Sequence, residues 1–115
     1  MKTIIAGSRK ITRYAFIEEA VAQSHFVITE VVSGCAEGVD LSGEEYAEHN
    51  NIPIKRFPAD WKGFGYAAGK IRNHEMADYA EALIAIWNGK SPGTRHMIET
   101  AHDAGLEVFV YYPYK

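Results

Sequence analysis

The amino-acid sequence predicts an α/β protein with a Rossmann-like, three-layer α/β/α sandwich, in which a five-stranded, mainly parallel sheet carries helices on both faces. Apolar runs rich in Val, Ile and Phe alternate with segments of helical periodicity, and turn-forming residues separate most of them. Each pair of successive strands encloses a helical segment, which favours parallel strands and right-handed crossovers. For a doubly wound sheet of this kind we expect the strand order 3-2-1-4-5.

Five segments have the length and composition of strands in a sheet. β-Branched and aromatic residues are enriched in them, and turn-forming residues stand near most of their ends. The predicted strands cover residues 3–6, 30–33, 52–57, 82–87 and 106–112.

The first two helices are indicated by a capping residue and by apolar spacing. Thr12 is a suitable N-cap for the first helix. The inner face of that helix carries Ile17, Ala20 and Val21 at the i, i+3, i+4 spacing. The second helix begins near Asp40.

The remaining two helices follow the third and fourth strands. The third covers residues 68–79. The fourth places Met97, Ile98 and Ala101 on its inner face, and it ends before Gly105, a natural residue just beyond a helix C-terminus.

Composition limits the function classes. The 115 residues are 47% hydrophobic, which suits a single domain over residues 1–115, and the net charge of −3 argues against a general nucleic-acid binder. The chain has no apolar run of membrane-spanning length and starts without a signal-peptide pattern, so we expect a cytoplasmic protein that does not contact a membrane. With Cys35 as the single cysteine and no convincing histidine pair, we expect no metal site, and no loop requires a cofactor.

Glycines and isolated polar residues follow the strands, in residues 7–10, 33–40, 58–73 and 88–94. These segments should meet at the carboxyl edge of the parallel sheet, where helix N-termini and glycine turns present backbone N–H groups to anions. Ordinary βα turns favour the same residue types, but four such segments together favour a binding site. The candidate ligand-binding residues are Gly7, Ser8, Arg9, Ser33, Gly34, Gly38, Asp40, Arg72, Asn73, Gly89, Ser91, Gly93 and Thr94.

Several of these side chains have two possible roles. Asp40 either accepts a sugar hydroxyl or base N–H, or it caps the second helix. Arg72 either binds phosphate or carboxylate, or it pairs on the surface with Glu75 or Asp78. Thr94 can donate to a phosphate and can also cap the fourth helix.

Other residues of the loops are also open to two interpretations. Asn73 is a poor helix former and is expected to bond the ligand or a neighbouring loop. Trp61, Phe64 and Tyr66 either stack on a base and cover the pocket, or pack the long loop onto the protein or a second subunit. Cys35 is expected to fill a tight turn, because no base stands near it to make it a nucleophile.

The order and spacing of several motifs resemble the SLOG superfamily, and most closely its YspA-type, YpsA-related branch. The motifs are Ala6-Gly7-Ser8-Arg9, the loop from Ser33-Gly34 to Gly38-Val39-Asp40, Phe57-Pro58-Ala59-Asp60-Trp61, the run from Ala68 to Met76, and Gly89 to Ser91 with Gly93-Thr94. The resemblance implies a Rossmann-like fold, a bacterial or phage origin and a nucleotide or nucleotide-derived ligand held by these loops. Cys35 stands where such families usually have glycine, which implies strain if that position needs a positive φ.

Two related families suggest alternatives to a binding or sensing role. The Lonely Guy phosphoribohydrolases hydrolyse the N-glycosidic bond of nucleoside monophosphates, and an Arg-Lys-x-x-Met run in them resembles residues 72–76. Their Gly-Thr-x-x-Glu run is matched only in part, since Met97 takes the place of the glutamate. The catalytic residue is therefore unknown, with Glu75 and Glu99 as the candidates.

The DNA processing protein A family, which binds single-stranded DNA, shares the Ser-Gly…Gly-x-Asp loop and an Arg-Asn step. The present chain lacks an evident basic groove, so we favour a nucleotide-derived small molecule as the partner over a nucleic acid. The aromatic side chains near the surface further predict a homo-oligomer; they are Trp61, Phe64, Tyr111, Tyr112 and Tyr114.

Overall fold

The computed structural model describes residues 1–114, whose five strands form one parallel sheet. The strands are β1 (Lys2–Gly7), β2 (Glu30–Ser33), β3 (Ile54–Arg56), β4 (Ala82–Ile86) and β5 (Glu107–Tyr111). They are ordered β3-β2-β1-β4-β5, and every neighbouring pair runs parallel. The Rossmann-like fold and the 3-2-1-4-5 order predicted from the sequence are confirmed.

Five α-helices connect or precede the strands. They are α1 (Tyr14–Ser24), α2 (Val39–His49), α3 (Trp61–Phe64), α4 (Ala68–Tyr79) and α5 (Pro92–Asp103). A 3₁₀ turn, Gly65–Ala67, joins α3 to α4. The sequence predicts four of these helices, and the short α3 lies in the segment that we expected to be an irregular loop.

The sheet buries both of its faces because apolar residues occupy successive positions of its central strands. Ile4 and Ile5 are both fully buried on β1 and belong to two different clusters, since neighbouring strand residues point to opposite faces. The Ile4 cluster includes Met76 of α4 and Met97 of α5. The Ile5 cluster includes Ile17 of α1, with α2 packed beside it. Two layers of helices therefore hold the sheet between them.

Two helix starts differ from the sequence prediction. Arg13 rather than Thr12 is the N-cap residue of α1, and it makes no side-chain capping bond. At α5 the N-cap residue is Ser91, with Pro92 in the first turn, so Thr94 lies inside the helix and does not cap it. The fixed φ of Pro92 suits the first turn and begins the helix there.

The exposed aromatic side chains are divided between two regions. Trp61, Phe64 and Tyr66 belong to α3 and the 3₁₀ turn, whereas Tyr112 and Tyr114 follow β5. Homo-oligomerisation stays a prediction, which size-exclusion chromatography with light scattering would test. Within residues 1–114, none of the helices has the length and apolar character needed to cross a membrane.

Candidate functional site

A cavity of about 630 Å³ opens beside the carboxyl end of β1. Its walls come from the turn after β1, the starts of α2, α4 and α5, the loop after β4, and the α3 segment. This is the edge of a doubly wound sheet at which ligands usually bind. Nine of the candidate ligand-binding residues line it: Gly7, Ser8, Arg9, Asp40, Arg72, Asn73, Ser91, Gly93 and Thr94.

The four other candidates, Ser33, Gly34, Gly38 and Gly89, are not among the lining residues. The Ser33 hydroxyl donates to Oε2 of Glu44 at 2.6 Å and accepts from the backbone N–H of Cys35 at 3.1 Å. Glu44 in turn accepts from Nε of Arg56 at 2.9 Å. Ser33 thus holds the loop after β2 onto α2.

Gly34 and Gly38 lie directly behind the cavity wall. A Cβ at Gly34 would stand 2.7 Å from Nη1 of Arg72 and 2.8 Å from Oδ2 of Asp40. Gly38 has a φ of 77°, and a Cβ there would stand 2.5 Å from the carbonyl oxygen of Ser8. Glycine at both positions therefore lets the loop after β2 approach Arg72 and the turn after β1 closely.

Arg72 is fixed by two hydrogen bonds that leave part of its guanidinium facing the cavity. Nη1 donates to the carbonyl oxygen of Gly34 at 2.6 Å, and Nε donates to Oδ1 of Asn73 at 3.0 Å. Nη2 makes no hydrogen bond to residues 1–114. Burial lowers the pKa of Arg72 below its ordinary value; Asp40 opposes this effect and the charge of Arg9 adds to it. Among the described residues Arg72 does not form the surface ion pair with Glu75 or Asp78.

Asp40 is a buried carboxyl group in the first turn of α2. Desolvation raises its pKa to about 6, against the opposing effects of Arg72 and of backbone N–H groups of Ala36 and Gly7. The N–H of Ala36 lies 3.3 Å from Oδ2 of Asp40. Asp40 lines the cavity, so its ionised carboxyl group can accept a hydrogen bond from a ligand.

Asn73 joins Arg72 to His96, a cavity residue that was not predicted from the sequence. Nδ2 of Asn73 lies 3.0 Å from Nδ1 of His96, and Nε2 of His96 lies 3.4 Å from Oγ1 of Thr100. Burial lowers the pKa of His96, with the charges of His74 and Lys70 acting in the same direction. The position of His96, two residues after Thr94 in a helix that starts at the cavity, is the signal that could have identified it.

The loop after β4 is shaped by the side chain of Asn88. Its Oδ1 accepts from the backbone N–H groups of Lys90 and Ser91 at 2.8 and 2.9 Å. The hydroxyls of Ser91 and Thr94 lie 3.1 Å apart, and a Cβ at Gly93 would meet nothing within 4 Å. The start of α5 is therefore exposed to the cavity, with the two hydroxyls and the open surface of Gly93 beside it.

The charges around the cavity are unequal. Its lining includes five basic residues, Arg9, Lys10, Lys70, Arg72 and Lys90, and one acidic residue, Asp40. Of these five, Arg9 and Arg72 were predicted from the sequence as ligand-binding residues. Because the whole chain has a net charge of −3, this concentration of positive charge is local to the cavity.

The hydroxyl of Ser8 is buried and has no hydrogen-bond partner among the described residues. Ser8 itself is 3% exposed and contributes to the cavity lining. Buried hydroxyls are normally paired, so Ser8 is a candidate to hydrogen-bond a ligand in the cavity.

Trp61 and Tyr66 form the aromatic wall of the cavity. Trp61 is half-exposed, Tyr66 is fully exposed, and both line the cavity, whereas Phe64 of the same segment does not. The Trp61 ring lies over the first turn of α4, where a Cβ at Gly69 would stand 3.3 Å from Cη2 of Trp61.

The two candidate catalytic residues lie outside this cavity. Glu75 is exposed on α4, and Glu99 lines a second, smaller cavity together with His74 and His102. In residues 1–114 no group of three or more His, Cys, Asp or Glu side chains is arranged to hold a metal ion. Asp40 is thus the carboxyl group that the main cavity offers to a ligand.

Comparison with known proteins connects this chain to one family. Residues 1–64 match the model of the YspA, cpYpsA-related SLOG family. The chain is 32% identical over 117 aligned positions to the gene 61 protein of Mycobacterium phage D29, with 93% of each chain covered.

The fold is similar to that of DNA processing protein A from Streptococcus pneumoniae, known from an X-ray structure, with a TM-score of 0.74 and 18% sequence identity. The match covers 95% of this chain and 49% of that chain, so the present chain spans about half the length of that protein. At this identity the likeness concerns the fold. The family model and the phage relative together cover most of the sequence, and the chain belongs to the YspA, cpYpsA-related SLOG family.

Proposed function

We propose that the cavity binds or senses a nucleotide or nucleotide-derived small ligand through its phosphate. The observation that carries the proposal is the excess of five basic residues over one acidic residue around a cavity in an otherwise acidic chain. Such a concentration of charge raises the local concentration of anions and stabilises a bound phosphate. Membership of a SLOG family agrees with a nucleotide-related role.

The phosphate is assigned to the side of the cavity formed by Arg72 and the start of α5. Arg72 presents an unpaired Nη2, and the first turn of α5 presents backbone N–H groups beside Gly93 and Thr94. The start of α2 is less suited to an anion, because the carboxyl group of Asp40 already accepts from Ala36 there.

The sugar end of the ligand is assigned to Asp40 and Ser8. Asp40 accepts a hydrogen bond from a sugar hydroxyl, and the unpaired hydroxyl of Ser8 supplies a donor or acceptor next to Gly7, whose backbone N–H also reaches Asp40. Asn73 was also expected to contact the ligand, but we do not assign it a direct contact. Both ends of its amide are already engaged, by Arg72 and His96, so it acts through Arg72.

Isothermal titration calorimetry with nucleoside phosphates, cyclic nucleotides and ADP-ribose compounds tests the proposal. We expect at least one of them to bind the wild-type protein, and Arg72→Ala to weaken that binding roughly 10- to 150-fold, as for loss of a charge-assisted hydrogen bond. Arg13→Ala is the matched control, because Arg13 precedes α1 and does not line the cavity. Absence of heat with the whole panel, or equal losses in both variants, would contradict the assignment.

The same samples separate binding from catalysis and from nucleic-acid binding. Chromatography of nucleoside monophosphates after incubation would detect free base if the protein were an N-glycosidase, and the binding role predicts none. A labelled single-stranded oligonucleotide is expected to bind no better than a mononucleotide, because the proposed contacts accommodate one phosphate end. Tight, salt-dependent retention of the oligonucleotide would instead favour DNA binding.

A further inference from the structure

We infer that Trp61 and Tyr66 form a stacking site for the planar aromatic ring of the ligand, so that the cavity selects nucleotides over sugar phosphates that lack a base. The inference rests on the proposed function and deepens it. Both rings line the cavity and remain largely exposed to solvent.

The aromatic wall lies outside both apolar clusters of the protein. Neither Trp61 nor Tyr66 is a member of the cluster around Ile4 or of the cluster around Ile5. Half of the Trp61 side chain and all of the Tyr66 side chain are accessible to solvent. Large aromatic side chains left exposed at the wall of a concave site commonly mark a place where a ligand completes the packing.

The backbone of α3, which carries Trp61, is closed by hydrogen bonds to Asp60. Oδ1 of Asp60 accepts from the backbone N–H of Gly63 at 2.9 Å, and the carbonyl oxygen of Asp60 accepts from the N–H of Phe64 at 3.0 Å. These bonds close the single turn of α3 and fix the direction in which Trp61 leaves the backbone. The backbone that carries Trp61 is therefore held beside the cavity by contacts within α3 itself.

The aromatic wall adjoins the proposed phosphate site. The position that a Cβ would take at Gly69 lies 3.3 Å from Cη2 of Trp61 and 3.9 Å from Nη2 of Arg72. A ring stacked on Trp61 is therefore separated from the guanidinium by a short span, which suits the sugar that links a base to its phosphate. The absent side chain of Gly69 leaves this span open.

The chemistry of the wall favours a base over other organic groups. Aromatic side chains stack on any nucleobase, because every base has a π-face. The guanidinium carbon of Arg9 lies 6.0 Å from the centre of the Trp61 ring, which places a cation at the margin of the same wall. A sugar phosphate without a base would use the phosphate site and leave this wall exposed.

The experiment compares AMP with ribose 5-phosphate, which lacks only the base, by calorimetry on the full chain. In the wild-type protein we expect AMP to bind at least about fivefold more tightly than ribose 5-phosphate. Trp61→Ala and Tyr66→Ala should reduce AMP affinity while leaving ribose 5-phosphate affinity within about twofold. Phe64→Ala is the matched control, because Phe64 is an exposed aromatic of the same segment that does not line the cavity.

Tryptophan fluorescence gives a second readout that does not depend on a destabilising variant. AMP should quench the wild-type emission, and Trp61→Phe should abolish that quenching, since Trp87 is the only other tryptophan of the chain and does not line the cavity. Ribose 5-phosphate at saturation should not quench either protein.

The outcomes separate this inference from the proposed function. If AMP and ribose 5-phosphate bind equally well, and Trp61→Ala or Tyr66→Ala changes neither affinity, the stacking site is overturned while phosphate binding stands. If neither compound binds and the wider nucleotide panel also gives no heat, both the stacking site and the proposed function fail.

Discussion

Nδ2 of Asn73 lies 3.0 Å from Nδ1 of His96, and this contact joins α4 to α5 across the floor of the cavity. Oδ1 of Asn73 accepts from Nε of Arg72, so Nδ2 must act as the donor toward His96. Nδ1 of His96 is then an unprotonated acceptor, and its proton lies on Nε2. The neutral imidazole of His96 on α5 thereby orients the amide of Asn73 on α4, and this amide in turn orients the guanidinium of Arg72.

Replacing His96 should weaken ligand binding through Arg72. His96→Ala removes the acceptor for Asn73, and we expect phosphate-ligand affinity measured by calorimetry to fall about 3- to 10-fold, as for one neutral hydrogen bond. His96→Gln restores an acceptor and should recover part of the loss. His74→Ala is a useful control, since His74 packs beside His96 but does not line the main cavity. Equal affinities in His96→Ala and wild type would show that Arg72 is held without this contact.

The same histidine should make stability depend on pH. Burial, with His74 and Lys70 acting in the same direction, lowers the pKa of His96 in the folded protein below its ordinary value of 6.5. As pH falls below 6.5, the unfolded chain takes up a proton that the folded chain resists, so the folded state loses stability. In urea unfolding at pH 7.5 and pH 5.5, His96→Gln should lose less free energy of unfolding than wild type does. An equal loss in both proteins would contradict this assignment.

Asp40 should make the folded protein less stable as pH rises, whereas His96 makes it less stable as pH falls. The pKa of Asp40 is raised from 3.8 to about 6, so its contribution to folding is fully present below pH 3.8 and is lost as pH rises through about 6. The corresponding free energy is up to about 3 kcal/mol. We expect the free energy of unfolding of Asp40→Asn, minus that of wild type, to increase between pH 4 and pH 7. If this difference in the free energy of unfolding stays constant over the interval, ionisation of Asp40 does not destabilise the folded protein.

Gly34 should be intolerant of even a methyl group. Gly34→Ala would place its Cβ 2.7 Å from Nη1 of Arg72, so either the loop or the guanidinium must move. We expect a loss of about 1 to 3 kcal/mol in the free energy of unfolding, as for overpacking, together with weaker phosphate binding. Gly93→Ala provides the comparison for stability, because its Cβ would meet nothing within 4 Å. Equal stabilities of the two variants would rule out the close packing of Gly34 on Arg72.

Ser33 should matter for stability and not for binding. Ser33→Ala removes the 2.6 Å hydrogen bond to the buried carboxylate of Glu44 and the bond from the N–H of Cys35. The expected cost is about 1 to 3 kcal/mol in the free energy of unfolding, with ligand affinity unchanged within twofold. Ser42→Ala, on the same helix as Glu44, serves as the control. A large loss of ligand affinity in Ser33→Ala would return Ser33 to the binding site.

Cys35 has a φ of 64°, which is unfavourable for a side chain with a Cβ. Cys35→Gly relieves this strain but increases the freedom of the unfolded chain, so we expect a net gain of about 0.5 to 1 kcal/mol relative to Cys35→Ala. Thermal unfolding of the two variants measures the difference directly. If Cys35→Ala is the more stable of the two, strain at this position is negligible.

The sequence was sufficient for the fold because its strands are separated by recognisable turns. Residues 68–79 were predicted as a helix with the bounds that α4 has in the structure. The third strand was predicted too long, and in the structure it is limited to Ile54–Arg56 at the edge of the sheet. Pro53 has no N–H to donate, which disfavours extension of the strand in that direction.

The site was harder to predict because several roles depend on contacts between distant residues. Ser33 and Gly34 follow a strand as ligand-binding residues do, yet one bonds Glu44 and the other packs against Arg72. His96 carries no local motif, and its importance comes from an amide on a different helix. For Cys35 the sequence was informative. Similar families usually have glycine at this position, which pointed to a positive φ, and Cys35 has one.

The connection between β3 and α4, residues 58–67, has a consequence for the evolution of ligand specificity. Residues 58–67 contribute nothing to either apolar cluster and stand between the edge strand and α4. Changes of length or composition there leave the folding of the sheet intact while replacing the surface that meets the organic part of a ligand. We therefore expect ligand specificity to change most readily through substitutions in residues 58–67, while the residues proposed to bind the phosphate stay the same.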